Sequence, residues 1–269
     1  MENLLDLLAK FNAISIPLSM EEEQQILYEY VYATNKLEGN QLTLIQTTEL
    51  FKSDTISGNN IRTSDILEQK GMYKALKRML LSVKNNEKLS VELLLDLNWL
   101  CIGSLWNEDY YIDVKEKGQE KGSFKISPNV ISIKKNNIEI EKIIPLSSPE
   151  NVVENMTELV AKINSSNKDI LDKAIFIAQE IWLHQPFVDG NKRTGRLLIN
   201  FILMKGGFPL FEYNNKKSDY NSLLVEQYYD HKPNLIKNYI IETLTSKLEA
   251  AIISNSKIKK NGNGFRLLL

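Results

Sequence analysis

Cysteine occurs once and histidine twice in this 269-residue chain. A single thiol, Cys101, excludes an intrachain disulfide framework, and Cys101 with His184 and His231 cannot build a four-ligand zinc cage. That poverty fits a reducing compartment. Glycine (12) and proline (7) are also scarce, below the roughly 12% of average composition, so helix breaks are few and an all-α fold is expected. No apolar run approaches the ~20 residues of a membrane-spanning helix, and the opening Met1-Glu-Asn-Leu-Leu-Asp lacks the basic stretch of a secretion signal. A cytoplasmic address is therefore expected. Charge of one sign is missing as well: 33 basic residues against 34 acidic leave a net charge of −1, and no bulk field draws the chain to nucleic acid or to an anionic membrane.

What is present is helical periodicity. Ser19 and Glu22 form a capping-box pattern ahead of Ile26, Leu27, Tyr30, Val31, Thr34 and Leu37, and Gly39-Asn40 closes the helix. Ile66 to Met79 and Leu93 to Cys101 each repeat like one face of a core helix. From Tyr110 to Ile144 the period changes: Ser123-Phe-Lys-Ile-Ser and Val130-Ile-Ser-Ile-Lys alternate, and a short hairpin is expected there. Ser148-Pro149 predicts the start of the next helix. Helices are then expected from Asp169 to Leu183, after the break at Pro186 to Asn191 as far as Gly206-Gly207, over Tyr220 to Tyr229 and over Leu235 to Ile253, with a frayed tail beyond. The organisation read from this is an N-terminal helical region (1–90), a core (91–253) and a tail (254–269), with no linker that splits the chain.

The chemistry concentrates between Leu183 and Arg196. A helix stops at Pro186, the turn Asp189-Gly190-Asn191 follows, and a new helix carries Lys192, Arg193 and Arg196 in its first turns. Cations there oppose the helix dipole at up to about 1 kcal/mol each, so an anion should offset them. Helix-start N–H groups, a glycine permitting close approach and two guanidinium groups three residues apart describe a polyphosphate cradle. Asp189 is placed to hold a Mg²⁺ that bridges phosphate oxygens. The bland alternative is a solvated helix start carrying three surface cations.

Phe187-x-Asp-Gly-Asn-Lys-Arg-x-x-Arg196 resembles the signature loop of Fic-domain proteins, the Fic/Doc superfamily. Gly122-Ser123-Phe124-Lys125-Ile126 resembles the flap that docks target proteins, and Arg196-Leu-Leu-Ile-Asn-Phe-Ile resembles the helix after the signature. Thr34-Asn-Lys-Leu-Glu38-Gly39 is similar to the inhibitory motif N-terminal to the core in one class of these proteins. The resemblance implies a helical bundle with an inserted hairpin, and AMP transfer from Mg-ATP to a Ser, Thr or Tyr hydroxyl of a target protein. It implies that Asn191 and the Gly190 and Lys192 backbone hold the α- and β-phosphates, Arg193 the β-phosphate region and Arg196 the γ-phosphate. It also implies that Glu38 pairs with Arg196 in the place of that γ-phosphate.

Two positions depart from the pattern. The signature's catalytic His corresponds to Gln185, whose amide has no basic site and cannot take a hydroxyl proton. His184 lies one residue away, about 100° around a helix, and replaces the base only if the helix end is distorted; otherwise it is a core or supporting residue. Lys192 stands where most AMP-transferring members have Gly and where the Doc branch, which transfers a phosphoryl group, has Lys. The expectation is thus an impaired AMP-transfer enzyme, with a nucleotide-binding pseudoenzyme or scaffold and a phosphotransferase as rivals, and with a homodimer left open. Cys101, Trp99, Trp106 and Trp182 are expected in the core and His231 in a loop.

Overall fold

The computed structural model describes residues 2–14, 18–106, 111–135, 138–213 and 220–260. Its helices are α1 (Glu2–Ile14), α2 (Met20–Lys36), α3 (Leu44–Ser53), α4 (Thr63–Lys84), α5 (Val91–Trp106), α6 (Ile112–Glu116), α7 (Val152–Ser165), α8 (Ile170–His184), α9 (Asn191–Lys205), α10 (Tyr220–Tyr228) and α11 (Leu235–Lys260). One antiparallel hairpin, β1 (Ile131–Lys135) with β2 (Ile138–Ile143), interrupts them. An all-α bundle with a small hairpin is what the scarcity of breakers predicts.

Local chemistry sets the boundaries. The Ser19–Glu22 capping box opens α2, and a second box, Thr43 with Gln46, opens the short α3 that periodicity does not announce. Gly39 follows α2 at φ 90°, a left-handed geometry that closes the helix with little strain only for glycine. The helix expected at Ser148-Pro149 begins instead at Val152, because 149–151 form a turn in which the Asn151 side chain accepts from the Ser148 N–H. The final helix continues past Ile253 to Lys260, and the rest of the expected tail lies outside the described residues.

The largest correction concerns the hairpin. Its strands pair Ile131 with Ile143 and Ser132 with Lys142, whereas Ser123–Ser127 is irregular. Alternation in that stretch does not mark a strand: Phe124 is buried, its carbonyl accepts from Gln119 Nε2, and the Lys125 N–H is taken by the Pro186 carbonyl. No helix of the described residues is long and apolar enough to cross a membrane.

α9 is the axis of the bundle. From Arg193 to Met204 every residue is buried, beneath α8 on one side and α4 and α5 on another. Leu197, Leu198, Ile199 and Leu203 are fully enclosed, each stabilising the fold by roughly 1.5–3 kcal/mol against exposure. A helix so packed gives its N-terminal residues little freedom, which is what a binding site requires.

Candidate functional site

α8 ends where Gln185 turns left-handed (φ 44°, ψ 57°) and Pro186, lacking an N–H, cannot continue the helix. The following loop is tied to the start of α9 through Asn191. Its Oδ1 accepts from the Phe187 N–H at 3.0 Å, and its Nδ2 donates to the Phe187 carbonyl at 2.9 Å and to Gln185 Oε1 at 3.0 Å. Gln185 Nε2 in turn donates to the Trp182 carbonyl at 2.6 Å, so both ends of the amide are engaged.

Gly190 is the N-cap of α9 at φ 77°. A Cβ there would stand 2.8 Å from Ile102 and 2.9 Å from Asn98, so both conformation and space demand glycine. Asn98 from α5 fastens the turn, donating to the Asp189 carbonyl at 2.9 Å and to Thr194 Oγ1 at 3.2 Å. No side chain caps this helix start, and its first N–H groups have no intrahelical acceptor.

Those residues border a cavity of about 790 Å³. One wall carries Gly190, Asn191, Lys192 and Arg193; β1 contributes Ile131, Ser132 and Lys134; Trp182, Leu224 and Val225 form an apolar end; and Glu38 with Gly39 closes the remaining side. Arg196 lies behind Glu38, fully buried and outside the lining. Its Nε donates to Thr34 Oγ1 at 2.7 Å, one terminal nitrogen donates to the Thr34 carbonyl at 3.0 Å, and the other stands 2.7 Å from Glu38 Oε1. That last contact is an ion pair aligned poorly as a hydrogen bond. Lys192 Nζ meets the other Glu38 oxygen at 2.8 Å. Glu38 thus bridges two of the three cations that the sequence places at the start of α9.

Burial pushes the Glu38 carboxyl up, but Arg196, Lys192 and Arg193 outweigh it and hold the group down at about 2. The turn that presents Glu38 is fixed from both sides: Asn40 donates to the Asp65 carbonyl at 3.0 Å and to Glu68 Oε2 at 2.8 Å, and Asn221 donates to the Leu37 carbonyl at 2.7 Å. Arg193 is 4% exposed and stays charged despite burial because Asp189 (3.2 Å) and Glu68 (3.6 Å) face it.

Asp189 is half exposed at the rim. Its Oδ2 accepts from the Tyr111 hydroxyl at 2.8 Å and its Oδ1 from the Gly190 N–H at 2.5 Å. Among the described residues no cluster of three acidic, His or Cys side chains exists. One carboxylate at the rim of this cavity fits Mg²⁺, which commonly takes one or two protein carboxylates and fills its shell with phosphate oxygens and water.

Not every residue singled out by sequence is brought to this site. His184 does not line the cavity: its Nδ1 is 2.6 Å from Ser147 Oγ and its Nε2 is 3.6 Å from Glu180. α8 stays regular through His184, so the distortion needed to swing this ring to the Gln185 side is absent. Phe124 and Lys125 pack against the signature loop, Phe124 on Phe187 and Lys125 at 2% exposure, whereas Ile126 is exposed; none of Gly122 to Ile126 lines the cavity, and the hairpin strand that borders it is β1. Cys101 is buried with its thiol pushed up by burial to about 11, an unreactive core side chain as expected. Trp182 is buried yet also lines the cavity, which the core reading does not foresee. Asn98, Tyr111 and Glu68 are not indicated by the sequence; only Asn98 leaves a signal, as a lone amide in the stretch Leu93–Ile102, which is apolar apart from it and Asp96.

The Fic/DOC family model matches residues 88–203, which include the cavity loop and most of α9. Protein adenylyltransferase fic-1 of Caenorhabditis elegans is 28% identical over 236 residues, covering 85% of this chain and 42% of that protein. Protein adenylyltransferase Fic of Nematostella vectensis is 24% identical over 85% of this chain and 49% of its own length. The chain therefore spans less than half of these curated relatives. Among solved structures, a Fic-domain-containing signaling protein from Bacteroides thetaiotaomicron superposes with a TM-score of 0.77 at 26% identity, covering 95% of this chain and 97% of that one. A fragment of C. elegans Fic-1 shares the fold at a TM-score of 0.66 and 23% identity. Residues 88–203 of this chain form a Fic/DOC family domain.

Proposed function

We propose that the cavity at the start of α9 binds the triphosphate of Mg-ATP, that Glu38 excludes it until displaced, and that the site serves AMP transfer to a hydroxyl of a target protein. The observation that carries this reading is the Glu38 carboxylate, seated between the cavity and Arg196 at 2.7 Å. A carboxylate and a terminal phosphate compete for the same guanidinium. The names of the adenylyltransferase relatives supply the reaction class. A cytoplasmic setting belongs to the same proposal, in keeping with a sequence whose single cysteine supplies no intrachain disulfide.

In this reading the α9 N–H groups and Asn191 receive the α- and β-phosphates, Arg193 the β-phosphate region, and Arg196 the γ-phosphate once Glu38 withdraws. Asp189 would hold the Mg²⁺, which neutralises charge on the phosphate oxygens. β1 presents the target's extended segment along the cavity edge, in place of Ser123–Ile126. The target oxygen forms a bond to the α-phosphorus, the bond to pyrophosphate breaks, and the hydroxyl proton must be accepted. Gln185 occupies the position for that task and cannot perform it, because both ends of its amide are hydrogen-bonded and neither is basic. The missing base slows transfer by ~10²- to 10⁴-fold.

Incubation of the wild type, Glu38→Gly and Glu38→Gly/Gln185→His with α-labelled ATP and a lysate tests this. Strong labelling only by the double variant is the expected result. Labelling by Glu38→Gly as fast as by the double variant would remove the role given to Gln185, and label arriving from γ- rather than α-labelled ATP would make the reaction a phosphoryl transfer.

A further inference from the structure

Four successive main-chain carbonyls, those of residues 184 to 187, are held by a bracket of buried Lys125 and half-buried Asn129, the Phe187 carbonyl being shared with Asn191. Lys125 Nζ donates to the His184 carbonyl at 3.2 Å, Asn129 Nδ2 to that of Gln185 at 3.2 Å, the Lys125 N–H to that of Pro186 at 2.9 Å, and Asn129 Nδ2 to that of Phe187 at 3.0 Å. The ammonium also donates to Asn129 Oδ1 at 2.8 Å, which fixes which way that amide points, and to the Ser147 carbonyl at 2.6 Å. Lys125 is 2% exposed, and its three side-chain acceptors are neutral oxygens. Burying an ammonium among neutral groups is costly, and burial alone lowers its pKa to about 8. The carbonyl end of α8, negative by its dipole, is what offsets that cost.

The bracket decides which face of the loop an anion meets. Gln185, Val188, Asp189 and Gly190 border the cavity while the carbonyls before them point into the bracket. A single peptide flip between 184 and 187 would turn a carbonyl oxygen toward the place of the phosphates and repel them. We infer that Lys125 and Asn129 are positioning residues for the anion-binding loop: together they hold the four carbonyls away from the cavity and so keep its wall receptive to phosphate. The effect on affinity rests on the nucleotide-binding reading above; the effect on loop order does not.

Hydrogen–deuterium exchange on the full chain tests it, comparing the wild type with Lys125→Met, which keeps the bulk and loses the side-chain donors while the main-chain bond to Pro186 remains, Asn129→Leu, and Lys125→Arg, which keeps charge and donors. Mg-ATP affinity is measured in parallel in the Glu38→Gly background, with Leu244→Ala in α11, a buried residue that does not line the cavity, as a variant that destabilises the core. Lys125→Met and Asn129→Leu are expected to speed exchange across 184–191 by about tenfold or more and to weaken Mg-ATP by a similar factor, the equivalent of one lost charge-assisted hydrogen bond. Exchange in α11 should stay unchanged, Lys125→Arg should stay close to wild type, and Leu244→Ala should lower Tm without moving affinity. Should Lys125→Met fail to fold, Asn129→Leu and Lys125→Arg decide alone. Unchanged exchange across 184–191 in the donor-less variants overturns the inference, as does an equal loss of affinity in Leu244→Ala. If Glu38→Gly binds no Mg-ATP at all, the proposed function falls while the exchange measurement still decides the role of the bracket.

Discussion

Arg196 is fully enclosed, and the partner that neutralises it is Glu38, 2.7 Å away at the far end of a turn that belongs to the N-terminal helices. The same guanidinium is fastened by the side chain and carbonyl of Thr34, one helical turn before that carboxylate. The Tyr213 ring also faces this guanidinium, at 5.8 Å, but the carboxylate that balances its charge comes from the Thr34–Glu38 segment and is secure only while that segment stays in place. Breaking a buried ion pair by removing one partner costs about 3–5 kcal/mol, since the other charge is left without compensation.

Glu38→Gly should therefore lose about 3 kcal/mol of stability without ligand and regain much of it with Mg-ATP, because phosphate replaces the carboxylate at Arg196. Thermal melts of both proteins with and without Mg-ATP check this. An equal ligand-induced shift in the wild type and in Glu38→Gly would show that Glu38 does not compete with nucleotide.

The depressed Glu38 carboxyl predicts an acid-sensitive fold. Its pKa is about 2 in the folded chain against an ordinary 4.5, so ionised Glu38 contributes stability that is present above pH 4.5 and is lost as pH falls toward 2. The span corresponds to about 3 kcal/mol at the full difference. Urea unfolding of the wild type and Glu38→Gln between pH 6 and pH 3 should converge as pH drops. Parallel curves would mean that the ion pair stabilises nothing.

Gly190→Ala places a Cβ within 3 Å of Ile102 and Asn98 at a left-handed φ. It should cost about 1–3 kcal/mol and slacken the turn held by Asn98. Urea unfolding together with amide exchange at 189–194 measures both effects, and a neutral substitution would contradict the packing described.

Cys101 should resist alkylation in the native protein at pH 8, because burial holds its thiol near 11 and no solvent reaches it. Labelling should follow global unfolding. Rapid native labelling would show that the α4–α5 core opens.

Much of this was written locally. The Asp189–Arg196 segment and the Thr34–Glu38 pair each sit within about two helical turns, so fixed spacing fixes their relative placement, and the α2 boundary follows from a capping box four residues long. The α3 boundary carries the same signal at Thr43 and Gln46, which apolar periodicity alone overlooks in a helix of ten residues. What stayed hidden depends on distant segments. Lys125 lies in a stretch whose alternation reads as a strand, yet two of its three side-chain partners are the main-chain carbonyls of residues 147 and 184, and carbonyls have no residue code. The strand assignment at Ser123–Ser127 failed for the same reason, since Gln119 and Pro186 take its backbone groups before another strand can. His184 illustrates the limit of one-residue offsets: a regular helix end sends it to Ser147 and Glu180, and only the Gln185 left-handed turn enters the cavity.

Calorimetric titration of Mg-ATP into the wild type and Glu38→Gly asks the central question directly. Binding at least about tenfold tighter to Glu38→Gly, with that gain lost when Arg196 is also changed to Ala, is the predicted result. Equal affinity in both proteins, or none in either, would contradict a carboxylate standing in for phosphate.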